Sequence, residues 1–185
     1  MKRVVITGIG IVSSIGDDIE AVTHSLKNGI SGLSHSTEYA DLGFRAQVWG
    51  RPKVDIEEAL DKKTRRFMGE GAAWNYLAML EALKTAKLSA EEISHPRIGM
   101  VMGSGGPSTR TVVEAARITE TKGPKRIGPT AVPKAMSSTN SATLAVPFKI
   151  KGLNYSISSA CATSVHCIGH AYEQIAFGKQ DMIFA

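Results

Sequence analysis

From Asn154 to the last residue the apolar pattern changes period twice, and nothing else in the chain narrows its fold as far. Residues 154–159 alternate Tyr155 and Ile157 with Asn154, Ser156 and Ser158, the two-residue period of a strand. A run of small residues, Ser158-Ser159-Ala160-Cys161-Ala162-Thr163-Ser164, then turns the chain. After it Val165, Ile168, Gly169, Tyr172, Ile175 and Ala176 mark an amphipathic helix ended by Gly178, and residues 181–185 open another strand.

The same alternation runs upstream. Residues 2–6 form a short β-rich run closed by Gly8 and Gly10. Asp17, with Glu20 three residues on, makes a capping box, and Ile19, Val22 and Leu26 share one helical stripe ended by Gly29. From Thr64 to Lys87 the pattern is helical and apolar nearly all round. Phe67, Gly71, Trp74, Ala78 and Ala82 fill one face, and Tyr76, Met79, Leu80 and Leu83 cover much of the other. Such a helix is buried between layers. Residues 97–102 read as a strand running into the glycine loop 103–107, a helix follows from about Ser108, and a small-residue helix spans 137–146. Strands alternating with helices predict an α/β layered fold with a buried central helix, one unit over residues 1–185. The chain stops inside a strand, which would leave ladder groups unpaired, so it is expected to be part of a longer protein.

Composition excludes several classes. An apolar fraction of 43% and a charged fraction of 21% are those of a globular domain. No apolar run is long enough for a membrane span, and the N-terminus is too short in apolar residues for a signal peptide. Cys161 and Cys167 cannot make a disulfide framework, and without an export signal both are expected as free thiols in a reducing cytoplasm. A net charge of +5 is a mild basic excess that favours an acidic partner.

Cys161 lies where a strand turns sharply into a helix, the arrangement of a nucleophile elbow. Its neighbours Ala160 and Ala162 are small enough to let the backbone bend hard. The field at a helix N-terminus favours an anionic sulfur, and the same backbone N–H groups can hold the oxyanion formed when that sulfur attacks a carbonyl. Read from the residues alone, Cys161 is equally well a small core residue, because free cysteine is among the most buried types. Cys167 sits six residues on, about 240° round the helix, so the pair makes neither a metal clip nor a redox motif. It reads as core.

His166 and His170 share a helix face at i, i+4, but Cys167 stands where a zinc-protease glutamate would be and no third ligand is evident, so no metal is expected. His166, five residues on and pointing elsewhere round the helix, is not placed to act as base for Cys161. His24, His35 and His95 carry no flanking motif, so any base is expected outside this segment. Gly8-Ile9-Gly10-Ile11-Val12-Ser13 falls short of a dinucleotide fingerprint, since its third glycine is Ser13 and no acidic residue ends a second strand. Lys62-Lys63-Thr64-Arg65-Arg66 is the densest positive cluster, with Lys122, Lys125 and Arg126 as a second. Lacking interleaved aromatic or groove-reading residues, these patches suit an acidic protein better than nucleic acid.

Residues 154–164, with His166-Cys167-Ile168-Gly169-His170, closely resemble the nucleophile segment of the β-ketoacyl-acyl-carrier-protein synthases of type I, elongating condensing enzymes of the thiolase superfamily. The likeness continues in residues 4–14, Arg66-Phe67-Met68, Gly103-Ser104-Gly105-Gly106 and residues 147–152, and covers a little under half of what that family contains. It implies a thiolase-like fold of layers α/β/α/β/α, of which this is the N-terminal half with a mixed β-sheet, in a cytoplasmic homodimer. It implies acyl transfer from acyl carrier protein to Cys161, then a decarboxylative Claisen condensation with malonyl-carrier in fatty-acid elongation, without metal or organic cofactor. Lys62, Lys63, Arg66, Lys122 and Lys125 would meet the acidic carrier. Gly106 and Met136 would line the acyl pocket, Met136 from the neighbouring subunit, and Gly106, lacking a side chain, would admit growing chains. Two histidines, a lysine and a Phe-loop N–H that complete the chemistry would lie beyond Ala185, so the segment alone is expected to be inactive. The alternatives are a degradative thiolase acting on acyl-coenzyme A and a non-catalytic chain-length partner subunit.

Overall fold

A computed structural model describes residues 1–106 and 108–185. Helix α1 (Ile19–Asn28) is followed by β1 (Leu33–His35), α2 (Thr37–Asp41) and β2 (Val48–Gly50). Then come α3 (Ile56–Ala59), a 3-10 turn at Thr64–Phe67, α4 (Glu70–Ala86) and β3 (Ile98–Val101). A third stretch holds α5 (Thr109–Lys122), a 3-10 turn at Pro124–Arg126, α6 (Ala131–Ala135) and α7 (Thr139–Ala145). The chain closes with β4 (Asn154–Tyr155), a 3-10 turn at Ala160–Ala162, α8 (Thr163–Ala176) and β5 (Met182–Phe184).

Strand β3 is the centre of a parallel sheet ordered β4-β3-β5. Met100 is level with Asn154 on one side and with Phe184 on the other. Parallel neighbours need crossover connections, which α5 to α7 supply between β3 and β4 and α8 supplies between β4 and β5. A strand flanked on both edges and covered by helices buries both faces, and Met100 and Val101 are wholly inaccessible. Antiparallel pairing occurs too, but in the separate β1–β2 ladder. The core gathers Ala72, Ala73, Met79 and Leu83 of α4 with Ile93, Met100, Leu144 and Phe148, and α4 is the buried helix the pattern predicts. The Tyr76 ring of α4 lies 4.9 Å from that of Phe148.

Several elements depart from expectation. Residues 2–6 form no strand, and Val5 and Ile6 are exposed. The segment that follows lies against α4 instead. There Glu81 accepts the Ile11 N–H (2.9 Å) and Thr85 Oγ1 accepts the Ile9 N–H (3.0 Å), so side chains replace a ladder. The helix cap is Asp18, not Asp17: its carboxylate accepts the Ala21 N–H, while Gly29 ends α1 as expected at φ 62°. The long helix expected from Thr64 is broken. Asp61 caps a short turn by accepting the Lys63 and Thr64 N–H groups, and Gly69 stays extended as the N-cap of α4. The strand expected over 154–159 ends at Tyr155, level with Val101, the last residue of β3, and the Ser156 hydroxyl beyond it bonds that of Ser141 (2.7 Å). Helix α8 turns most of its expected apolar stripe outward, with Ala176 buried and Ile175 half-buried at its C-terminal end. It buries Thr163, Cys167, Ala171 and Ala176 against the sheet, where small side chains permit close approach, and exposes Val165, Ile168 and Tyr172. Within the glycine loop, Pro107 lies outside the described residues.

Candidate active site

Cys161 occupies the middle of the 3-10 turn that joins the β4 segment to α8, and its thiol is exposed. Ala160 just before it has φ 48°, a left-handed conformation that costs a residue with a Cβ about 1–2 kcal/mol. That bend sets Cys161 at the head of α8, as the small-residue run predicts. The turn consumes two donors expected to be free: the Ala162 N–H bonds Ser159 O (3.0 Å) and the Thr163 N–H bonds Ala160 O. Neither bond uses the N–H of Cys161 itself.

The glycine loop packs directly on this turn. A Cβ added at Gly103 would lie 1.9 Å from Ile157 O, and one at Gly105 would lie 2.8 Å from Ala160 O. Both approaches demand glycine. Buried Asn140 of α7 fixes the loop by donating from Nδ2 to Gly103 O at 2.8 Å. Gly106 is exposed, and a Cβ added there would meet nothing within 4 Å among the described residues. The loop therefore stays thin where it packs on the Ala160 carbonyl. Met136 is the C-cap of α6.

Cys167 is buried, and burial pushes its thiol up from the ordinary value. His166 is exposed; His170 pairs with Gln174 Nε2 at 2.9 Å and stands edge-on to Tyr155. Among the described residues no group of three or more His, Cys, Asp or Glu is placed to hold a metal ion. No described helix is long and apolar enough to cross a membrane.

The basic cluster forms a second feature. Lys62 and Lys63, just before the first 3-10 turn, and Arg65 and Arg66 within it join Thr130 and Lys134 around a cleft of about 560 Å³. Arg65 is partly committed to Glu57, 3.1 Å away. Lys122 ends α5 and Lys125 sits in the following 3-10 turn; neither lines the cleft. Lys134 escaped the sequence reading because it joins the cluster only through the packing of α6 on the first 3-10 turn.

A parallel sheet flanked by helices, with a cysteine on the strand-to-helix bend, is the architecture of the thiolase-like ketosynthases. A β-ketoacyl synthase structure from Burkholderia phymatum superposes with a TM-score of 0.83 at 28% identity, over 97% of this chain and 45% of that one. The ishigamide ketosynthase/chain length factor, at 20% identity, shares the fold with a TM-score of 0.84 over 97% of this chain and 45% of its own. Residues 1–185 match the family described as Beta-ketoacyl synthase, N-terminal domain, and the chain belongs to that family. It is 51% identical to 3-oxoacyl-[acyl-carrier-protein] synthase 1 of Escherichia coli (strain K12), over all of this chain and 46% of that protein. The Arabidopsis thaliana chloroplastic 3-oxoacyl-[acyl-carrier-protein] synthase I is 34% identical over all of this chain and 40% of its own length. The chain thus spans somewhat under half the length of these curated relatives.

Proposed function

We propose that residues 1–185 are the N-terminal half of an elongating β-ketoacyl-acyl-carrier-protein synthase, with Cys161 as its nucleophile. The observation that carries this reading is the exposed Cys161 thiol at the head of α8, just after a left-handed bend on which Gly105 packs, in a chain 51% identical to a 3-oxoacyl-[acyl-carrier-protein] synthase.

The sulfur of Cys161 attacks the thioester carbonyl of an acyl carrier, and the carrier thiol leaves. The oxyanion formed on the way accepts the Cys161 N–H, the donor that the turn's own bonds do not use. The open space at Gly106 receives the acyl chain, with Met136 lining the same pocket across a homodimer interface. Loss of CO2 from malonyl-carrier then supplies a carbanion. Its attack on the Cys161 thioester forms the carbon–carbon bond, frees the cysteine sulfur and yields 3-oxoacyl-carrier. Groups for decarboxylation come from outside residues 1–185, so the segment alone is inactive. The acidic carrier docks at Lys62, Lys63 and Arg66, with Lys122 and Lys125 at the edge of its footprint. Such an enzyme works in the cytoplasm and needs no metal or organic cofactor.

Intact-mass analysis of the full-length protein with acyl-carrier as donor tests this. One acyl adduct is expected, and it is lost in Cys161→Ala. An adduct that survives that substitution removes Cys161 from the reaction.

A further inference from the structure

The backbone just before Cys161 is held in an unfavourable conformation, and one side chain does most of the holding. Thr163, 4% exposed, accepts the Ser159 N–H at Oγ1 (2.8 Å) and donates from the same oxygen to Ala160 O (2.8 Å). A hydroxyl is the smallest group that can accept and donate at once. Its two bonds bracket Ala160, whose φ of 48° its own Cβ opposes. The Thr163 N–H also bonds Ala160 O, so that oxygen is gripped twice by one residue. The Thr163 methyl is engaged as well: a Cβ added at Gly103 would lie 2.7 Å from it.

We infer that Thr163 is a positioning residue for Cys161: its hydroxyl locks Ala160 in the left-handed conformation and thereby sets where the Cys161 sulfur and N–H point. This rests on the reading of Cys161 as the nucleophile. Without the clamp, Ala160 relaxes toward negative φ, and both the sulfur and the N–H of the next residue swing off the incoming carbonyl. Misplacement of that kind lowers the maximal rate of a step without changing how the donor docks.

The variants separate hydroxyl from methyl in the full-length enzyme. Thr163→Val keeps the methyl and loses both bonds; Thr163→Ser keeps both bonds and loses the methyl. Single-turnover acylation by acyl-carrier, followed by intact mass, is expected to slow about tenfold or more in Thr163→Val. The loss falls on the rate at saturating carrier, and the carrier concentration for half-maximal rate stays unchanged. Thr163→Ser acylates at close to the parent rate. Adding Ala160→Gly to Thr163→Val recovers much of the loss, because glycine adopts positive φ without being held. The double variant also guards against a Thr163→Val protein that folds poorly. Parent-like acylation in Thr163→Val, or a loss that neither Thr163→Ser nor Ala160→Gly relieves, overturns the inference while leaving Cys161 in place. An adduct retained in Cys161→Ala overturns the functional reading beneath it.

Discussion

Arg97 and Asp181 are joined one residue ahead of β3 and β5. Arg97 Nε and Nη2 donate to the two carboxylate oxygens at 2.5 and 2.7 Å, and Nη2 also donates to Gly178 O at 2.9 Å. The Asp181 N–H returns a bond to Arg97 O at 2.8 Å. Backbone and side chains thus close the corner where α8 hands over to β5, at the opposite end of the helix from Cys161. Fork-shaped guanidinium pairing gives this contact a geometry that a single surface ion pair lacks.

Stability should follow the charge on Asp181. The hydrogen bond from Arg97, foremost, and the Arg97 and Lys2 charges pull its carboxyl from 3.8 down to about 2. A depressed folded value means the contribution is complete above the unfolded value of 3.8 and disappears as pH falls through about 2. Urea midpoints of the parent and Asp181→Asn proteins, measured across that interval, should converge as the acid is added. Parallel curves would show that the pair contributes nothing.

Glu81 ties the N-terminal segment to α4 at two points. Its carboxylate accepts the Ile11 N–H at 2.9 Å and the Ile19 N–H, the first residue of α1, at 2.7 Å. Bonds to a charged acceptor are each worth about 1.5–3 kcal/mol, and an N–H left unpaired adds a desolvation penalty. Glu81→Ala should cost about 3–6 kcal/mol in denaturant unfolding, with Glu81→Gln intermediate because it keeps one acceptor. Hydrogen exchange at the Ile11 and Ile19 amides should accelerate in step. Unchanged exchange at both would rule the contact out.

Gly10 makes the same docking possible by having no side chain. A Cβ there would sit 1.7 Å from Ala78 O and 2.8 Å from Ala82 N, both backbone atoms that cannot swing aside. Gly10→Ala should destabilise by about 3 kcal/mol, the upper part of the range for overpacking. Gly71 of α4 meets nothing within 4 Å, and Gly71→Ala should instead stabilise by about 0.5–1 kcal/mol through helix propensity. Equal effects at the two glycines would contradict the close approach.

What was legible in the sequence is what short-range chemistry decides. Gly29 and Gly178 end their helices at φ 62° and 73°, because glycine alone occupies that region freely. The strand at residues 97–102 and the small-residue bend at Cys161 follow from period and side-chain size. Asp17 was one residue off because it alone has a glutamate three residues on, while either aspartate can cap a helix, and backbone geometry chooses Asp18. Other features depend on partners far along the chain. Residues 2–6 carry a strand composition, yet strand formation needs a ladder that composition does not provide. The buried face of α8 is set by the sheet beneath it, which takes Thr163, Cys167 and Ala171 rather than the bulkier stripe. Lys134 and the Thr163 clamp became visible only when α6 and the Cys161 turn were seen folded.

The basic cleft predicts how a carrier should respond to charge and salt. Lys62, Lys63, Arg66 and Lys134 converge on it from two elements, with Arg65 partly neutralised by Glu57. Rim charges of this kind act mainly on encounter, and salt screens them within about 10 Å at 0.1 M. Replacing Lys63 and Arg66 by Glu in the full-length protein should weaken carrier binding about tenfold at low salt. It should also flatten the dependence of binding on ionic strength. Lys134→Glu should shift binding in the same direction despite its distance in sequence, and Lys122→Glu, outside the cleft lining, should shift it less. Titration calorimetry with acyl-carrier at two salt concentrations measures both effects. If the Lys63 and Arg66 reversals leave low-salt binding intact, the cleft is a solvated surface and the carrier docks elsewhere.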